Sequence, residues 1–301
     1  MTSGNTYNEN CGQQTLIMES SLPLFDEIDL GPNPKILDYG CSQGLNSIAM
    51  MQRILGRLAP SSTVSLVFED LPSNEFTSLI KLLPGLCTSN PELKIYPSLI
   101  PSPAAKEDFR NFLTLRSQEI KKGGYLIIAC FGSFTEEEIK KYKDALIIRH
   151  RCLFQAAEVL ANNGRLPSKA VARINMPIYD RSEEEFVGGI QELKDLWIME
   201  KYYRKMIPHP AYHKFLKECE MARSDEQAKI KASKAYSGAL MDWLVAVMGD
   251  MIKSWWVESG VKEGEVEAIY AEFLAIAKDL LYKEGPAGAE IPIMYTRLRR
   301  A

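Results

Sequence analysis

Histidine is scarce in this chain, with three residues in 301, His150, His209 and His213. None has a carboxylate at the spacing of a catalytic or metal-binding pair, so each reads as a surface or structural side chain. The six cysteines (Cys11, Cys41, Cys87, Cys130, Cys152, Cys219) are scattered, with no C-x-x-C and no close Cys/His pair. That argues against structural zinc and, for all but Cys11 and Cys41, which lie in the motifs below, for reduced, packed thiols. A large excess of charge of one sign is also missing. A formal net charge of −3 leaves no broad basic field, so no nucleic-acid partner is expected. No apolar run approaches a bilayer span, and residues 1–10 are polar, without the charged and apolar regions of a secretory leader. A soluble, cytoplasmic protein with no membrane partner is the expectation. Internal repeats and low-complexity tracts are absent too.

What the chain does hold is 46% apolar residues, enough for a sizeable core in one large domain or two modest ones. Its most informative stretch is Lys35-Ile36-Leu37-Asp38-Tyr39-Gly40-Cys41-Ser42-Gln43-Gly44-Leu45-Asn46. A short apolar run enters a turn containing Asp38, Gly40 and Gly44, and Ile48, Ala49, Met50 and Met51, then Ile54 and Leu55, recur at helical spacing, which predicts strand, glycine turn and helix. In an open α/β sheet the ligand lies at the carboxyl ends of such strands. Glycines let the backbone pass close to it, and the helix start suits a carboxylate. The dinucleotide pattern G-x-G-x-x-G is lacking. D-Y-G-C-S-Q-G has instead the form D-x-G-x-x-x-G, the first-strand pattern of S-adenosylmethionine (AdoMet) methyltransferases. A second apolar run, Val64 to Phe68, closes on Glu69-Asp70, where an acid can accept hydrogen bonds from both ribose hydroxyls of an adenosine. These two features alone leave NAD binding open, and also an ordinary α/β unit in which Asp70 merely caps the next helix.

Further along, patterning predicts a helix over 14–28 interrupted near Pro23, a helix over 74–83, a strand at Leu93 to Tyr96, a helix over 104–122 and a buried strand from Tyr125 to Cys130. Helices are predicted over 136–160 and 194–235, followed by an apolar stretch from Asp242 to Trp256, an amphipathic helix over 264–282 and a last strand at Ile291 to Leu298. Glu136-Glu137-Glu138 reads as a solvated helix start favoured by the dipole. The expected fold is α/β: a Rossmann-like AdoMet methyltransferase sheet over residues 1–135, and a mainly helical substrate cap over 136–301 whose C-terminal strand returns to the sheet. Such a sheet would ordinarily place two strands between those at Phe68 and Tyr125. The sequence offers one, so a central strand is missing by count.

Several segments, in order, resemble the plant carboxyl methyltransferase family known as SABATH. Thr6-Tyr7-Asn8-Glu9-Asn10-Cys11-Gly12-Gln13-Gln14 is similar to its opening S-Y-x-x-N-S-x-x-Q, with Cys11 for the usual serine. Leu37 to Asn46 resembles D-L-G-C-S-S-G-P-N, and Asp70-Leu71-Pro72-Ser73-Asn74-Glu75-Phe76 resembles D-L-P-x-N-D-F. Asp108-Phe109 through Gly123-Gly124-Tyr125 and Ile174-Asn175-Met176-Pro177-Ile178-Tyr179 match two later blocks. The resemblance implies methyl transfer from AdoMet to the carboxylate of a small acid, AdoMet as cofactor and a homodimer. Carried over, Tyr7, Cys11, Cys41, Asn46, Asp70 and Leu71 line the AdoMet site together with Asp38 and Gly40, and Gln14 hydrogen-bonds the acceptor carboxylate. Trp243, Trp255 and Trp256 fit an aromatic acceptor pocket and core packing equally well. Ala172 stands where the family usually has an aspartate, and alanine cannot ligate Mg²⁺, so no metal is expected. The family's segments G-S-F-Y and S-S-x-S-x-H-W have no counterpart in Leu86 to Lys106, which is shorter by several tens of residues. A non-catalytic relative that keeps the fold for binding or dimerisation is therefore the alternative.

Overall fold

The computed structural model describes residues 11–70, 76–88, 93–101, 109–142, 145–172, 174, 181–285 and 290–301. Helix α1 (Gly12–Ser21) and a 3-10 turn (Leu22–Leu24) lead into β1 (Lys35–Tyr39), α2 (Leu45–Leu55), β2 (Thr63–Asp70), α3 (Phe76–Thr88) and β3 (Lys94–Pro101). The three strands are parallel in the order β1-β2-β3, with Tyr39 level with Glu69 and Asp70 level with Pro101. Of the apolar residues read in the sequence, Ile48, Met51, Ile54 and Leu55 pack on Val64, Leu66 and Phe68 of β2 and on Leu79 and Leu86 of α3, whereas Ala49 is exposed.

Helix α4 (Phe109–Glu119) precedes β4 (Tyr125–Phe131), and five helices follow: α5 (Glu136–Tyr142), α6 (Ala145–Asn162), α7 (Ser168–Val171), α8 (Glu183–Gln191) and, after β5 (Trp197–Pro208), α9 (Pro210–Ala222). The chain ends with α10 (Glu226–Glu258), α11 (Glu263–Glu284) and β6 (Glu290–Arg300). β6 runs antiparallel between β4 and β5. Every residue from Ile291 to Leu298 is buried. Ile291, Ile293 and Tyr295 meet the large helical core, and Met294 and Leu298 meet Leu113, Leu126, Phe186 and Trp197 on the other face. Such a strand reads as a near-continuous apolar run because both of its faces are covered.

The helix expected over 194–235 is corrected in its first part, where Trp197–Pro208 is strand β5. Trp197, Ile198, Tyr202, Tyr203 and Ile207 suit a pleated surface, but Glu200, Lys201, Arg204 and Lys205 interrupt the alternation. Charges are tolerated there because β5 is, among the described residues, an edge strand, paired with β6 alone and carrying a bulge between Met199 and Lys201. The acidic run at the start of α5 is also only partly solvated. Glu138 makes a bidentate pair with Arg204 at 2.6 Å through both oxygens, tying α5 to β5.

The shortage of one strand shows as a break: two three-stranded sheets in place of one. Among the described residues β1 and β4 each pair on one side only, and Leu37 and Phe131 on those strands are 36% and 38% exposed. Polar side chains, not a ladder, join α4 to the edge of β1. Tyr39 donates to Glu119 at 2.8 Å, and the Arg116 guanidinium lies 4.4 Å over the Tyr39 ring. Helix α1 and the turn after it link the halves. Thr15 bonds Asn46 of α2 at 2.8 Å, Tyr295 bonds the Ile17 carbonyl at 3.0 Å, and Arg297 bonds the Asp26 carbonyl at 2.6 Å. Among the described residues no helix is long and apolar enough to cross a membrane.

Candidate functional site

Parallel pairing of β1 with β2 sets the end of one strand beside the end of the other, and the glycine turn closes on the second. Gly40 N and Cys41 N donate to the Glu69 carbonyl at 2.7 and 3.2 Å, and Ser42 N donates to Asp70 Oδ2 at 2.6 Å. Gly40, Ser42 and Gly44 all have positive φ, at 83°, 49° and 91°, and this sharp reversal puts three successive N–H groups against the β2 terminus. Two acceptors in the turn, Asp38 Oδ2 and Gln43 Oε1, are buried with no hydrogen-bond partner among the described residues. Buried acceptors of this kind are normally satisfied.

The electrostatics of the turn are negative. Burial raises the Asp38 carboxyl above the ordinary carboxylate range, the Asp70 charge pushes the same way and the Ser47 hydroxyl opposes. Burial, then the charges of Asp38, Asp70 and Glu69, pushes the Cys41 thiol up to about 12, so it remains a protonated, weak donor. Orphaned acceptors and clustered carboxylates fit a ligand bearing an ammonium, a sulfonium and ribose hydroxyls, and they oppose the pyrophosphate of a dinucleotide.

Of the residues singled out from sequence, Asp38, Gly40, Cys41 and Asp70 come together in this turn. Cys11 and Asn46 meet beside it, the thiol donating to Asn46 Oδ1 at 3.9 Å, with Thr15 on the same oxygen at 2.8 Å. Thr15 was missed by sequence reasoning, although it lies four residues after Cys11 and so on the same helix face. Tyr7, Leu71 and Asn175 lie outside the described residues. Gln14 and Trp243 touch, the indole Nε1 donating to Gln14 Oε1 at 2.9 Å. Trp243 and Trp256 are both buried in the large helical core, with Trp255 packed against it. Trp243 faces α1, whereas Trp256 is packed edge-on against Phe273 at 5.2 Å in the core. His209, read as structural, caps α9 by accepting from Ala211 N at 3.2 Å, but it also lies 6.4 Å from Trp243, edge to face.

A pH prediction follows from Asp38. With its folded pKa raised, the protonated form stabilises the folded chain at low pH, and that contribution is lost as pH rises through the folded value. A cationic ligand favours the ionised form. AdoMet affinity is therefore expected to strengthen as pH rises through that value and then level off, with proton release detectable by calorimetry in buffers of different ionisation enthalpy. Asp38→Asn should flatten the dependence; an equally steep profile in the variant would assign it elsewhere.

The model of the SAM-dependent carboxyl methyltransferase family matches residues 102–262, just over half of the chain. Methyltransferase FUS9 of Gibberella fujikuroi is 24% identical over 357 aligned positions, covering 100% of this chain and 97% of that protein. Methyltransferase LUC1 of Fusarium sp is 25% identical over 298 positions, covering 83% of this chain and 80% of that protein. O-methyltransferase acrG of Aspergillus aculeatus is 24% identical over 298 positions, covering 79% and 77%. An alignment of 357 positions for a chain of 301 residues requires gaps of several tens of residues on this side.

Proposed function

The chain belongs to the SAM-dependent carboxyl methyltransferase family, and from that premise we propose that it methylates the carboxylate of a small acid. AdoMet is the cofactor, supplying a methyl group activated by its sulfonium. The observation that carries the reading is the meeting of the Asp38-to-Gly44 turn with Asp70, and the contact of Trp243 with Gln14, the residue before the Thr15 that bonds Asn46 at the start of α2. Asp70 is suited to the ribose hydroxyls, and the buried Asp38 Oδ2 to an ammonium. Cys11 and Asn46 flank the same turn.

A carboxylic acid with a pKa near ~4 is already ionised at neutral pH. One carboxylate oxygen supplies the electron pair of the new C–O bond, the methyl C–S bond breaks and its pair stays on sulfur. No proton moves, so the chain needs no catalytic base. Its own contribution is alignment and exclusion of water. Gln14, with Oε1 held by Trp243, offers its NH₂ as a donor to the acceptor, and the buried face of Trp243 keeps the surroundings dry.

Asp70→Ala tests the cofactor assignment. Losing hydrogen bonds to a charged group at about 1.5–3 kcal/mol each should weaken AdoMet binding by about 100-fold or more in calorimetry; unchanged affinity would refute the site. The break in the sheet favours a second reading, a non-catalytic relative. Labelled AdoMet with a panel of carboxylic acids decides between them, since ester methyl, unlike N-methyl, is released as methanol by alkali. The same reading takes the protein to be a cytoplasmic homodimer, with light scattering as the check on assembly.

A further inference from the structure

Arg116 on α4 is 8% exposed, and its Nε is buried with no hydrogen-bond partner among the described residues. A cation so placed is costly unless its charge is used. The guanidinium carbon sits 4.4 Å over the Tyr39 ring, Nη1 lies 4.0 Å from Glu69 Oε2, and Nη2 donates to Glu119 Oε1 at 2.7 Å. The Tyr39 hydroxyl closes the circuit by donating to Glu119 Oε2 at 2.8 Å. Burial, and then that hydrogen bond, hold the hydroxyl well above the ordinary phenol range, so it stays a donor at neutral pH. The side chains of Arg116 and Glu69 are only 10% and 20% exposed, so solvent screens their attraction little.

Tyr39 and Glu69 stand level in the parallel register of β1 and β2. Each is next in sequence to one of the two acids assigned to the cofactor, Asp38 and Asp70. Successive side chains of a strand point to opposite faces, so Arg116 engages these strands from behind the face that carries the acids. Tyr39 also precedes Gly40, and the Glu69 carbonyl is the acceptor for Gly40 N and Cys41 N. Helix α4 is itself anchored to the other sheet. Leu113 packs with Phe186, Met294 and Leu298, its carbonyl accepts from Trp197 Nε1 at 2.9 Å, and the Ser117 carbonyl accepts from Arg300 Nε at 2.9 Å. One cation fixed to the second sheet thus grips both strand ends from which the turn springs.

We propose that Arg116 is a positioning residue for the cofactor, holding the ends of β1 and β2 from α4 so that the turn presents Asp38 and Asp70 to AdoMet. This inference rests on the assignment of that turn to AdoMet given above.

The test is binding of AdoMet and S-adenosylhomocysteine to the full chain, followed by calorimetry. Arg116→Met, folded by circular dichroism, should bind both about tenfold more weakly, and Arg116→Lys, which keeps the charge, should recover part of the loss. Glu119→Ala, at an exposed position, releases Arg116 and Tyr39 together and should also weaken binding; it carries the test if Arg116→Met does not fold. Added to Asp70→Ala, Arg116→Met should cost a smaller factor than it does in the wild type, because an acid that is gone cannot be misplaced. Unchanged affinity in the folded Arg116 or Glu119 variant overturns the proposal, as do losses that multiply in full, which would make the role of Arg116 structural only. Unchanged affinity in Asp70→Ala alone would instead sink the assignment of the turn, and this inference with it, so the two failures are told apart.

Discussion

Gly44→Ala should destabilise the chain by about 2–5 kcal/mol, whereas Gly40→Ala, in the same turn, should cost about 1–2 kcal/mol. Both glycines have positive φ, 91° and 83°, where an L side chain is strained by roughly 1–2 kcal/mol. They differ in what a methyl group would meet. At Gly44 an added Cβ would collide with Leu79 Cδ1 and lie 2.9 Å from Leu79 Cβ and 3.0 Å from its Cα, which is backbone of α3 and cannot rotate away. Overpacking of that kind adds about 1–3 kcal/mol. At Gly40 nothing among the described residues lies within 4 Å. Denaturant midpoints at constant m-value measure the difference, and equal costs would contradict the packing argument. The two should also divide in function. Gly44 lets α3 sit close to the start of α2, so its loss moves the turn as a whole. Gly40 leaves a clear face beside the Asp70 contact, so its variant should lose AdoMet affinity beyond what its small stability change explains.

The division between these glycines was not legible in the sequence, which gave both the same part, close approach to a ligand. Local features were legible. The strand, turn and helix from Lys35 to Leu55 are set by neighbours within a few residues, and the meeting of the turn with Asp70 follows from a parallel register joining adjacent strands. Elements decided by distant partners were not. β5 is laced with lysine, arginine and glutamate and becomes a strand through pairing with β6, about 90 residues later. The contact between Gln14 and Trp243 spans 229 positions.

Backbone amides of β1 are expected to exchange with deuterium at least about 100-fold faster than those of β6, which converts to roughly 3 kcal/mol less opening free energy. β6 is hydrogen-bonded on both sides and covered on both faces by large apolar clusters. β1 has one neighbour among the described residues, exposes Leu37, and belongs to a three-stranded sheet over a smaller core, near the minimum for independent stability. Polar contacts from Arg116 and Glu119 on α4 do not substitute for a ladder, since they engage the Tyr39 side chain and leave the backbone of that edge of β1 outside any ladder among the described residues. Because the candidate AdoMet turn hangs from the end of this weaker sheet, ligand should act on it preferentially. AdoMet at a hundred times its Kd adds about 2.7 kcal/mol to states that require the site, enough to slow β1 and β2 by about 100-fold while changing β6 less. Equal protection of β1 and β6 without ligand would mean that the two sheets unfold as one, and the break between them would then lack the energetic consequence argued here. Slowing confined to β6 would place the cofactor on the wrong sheet. Slowing in β1 and β2 would show that the cofactor completes a half-sheet that the missing strand leaves marginal, making cofactor binding and ordering of the catalytic half one equilibrium.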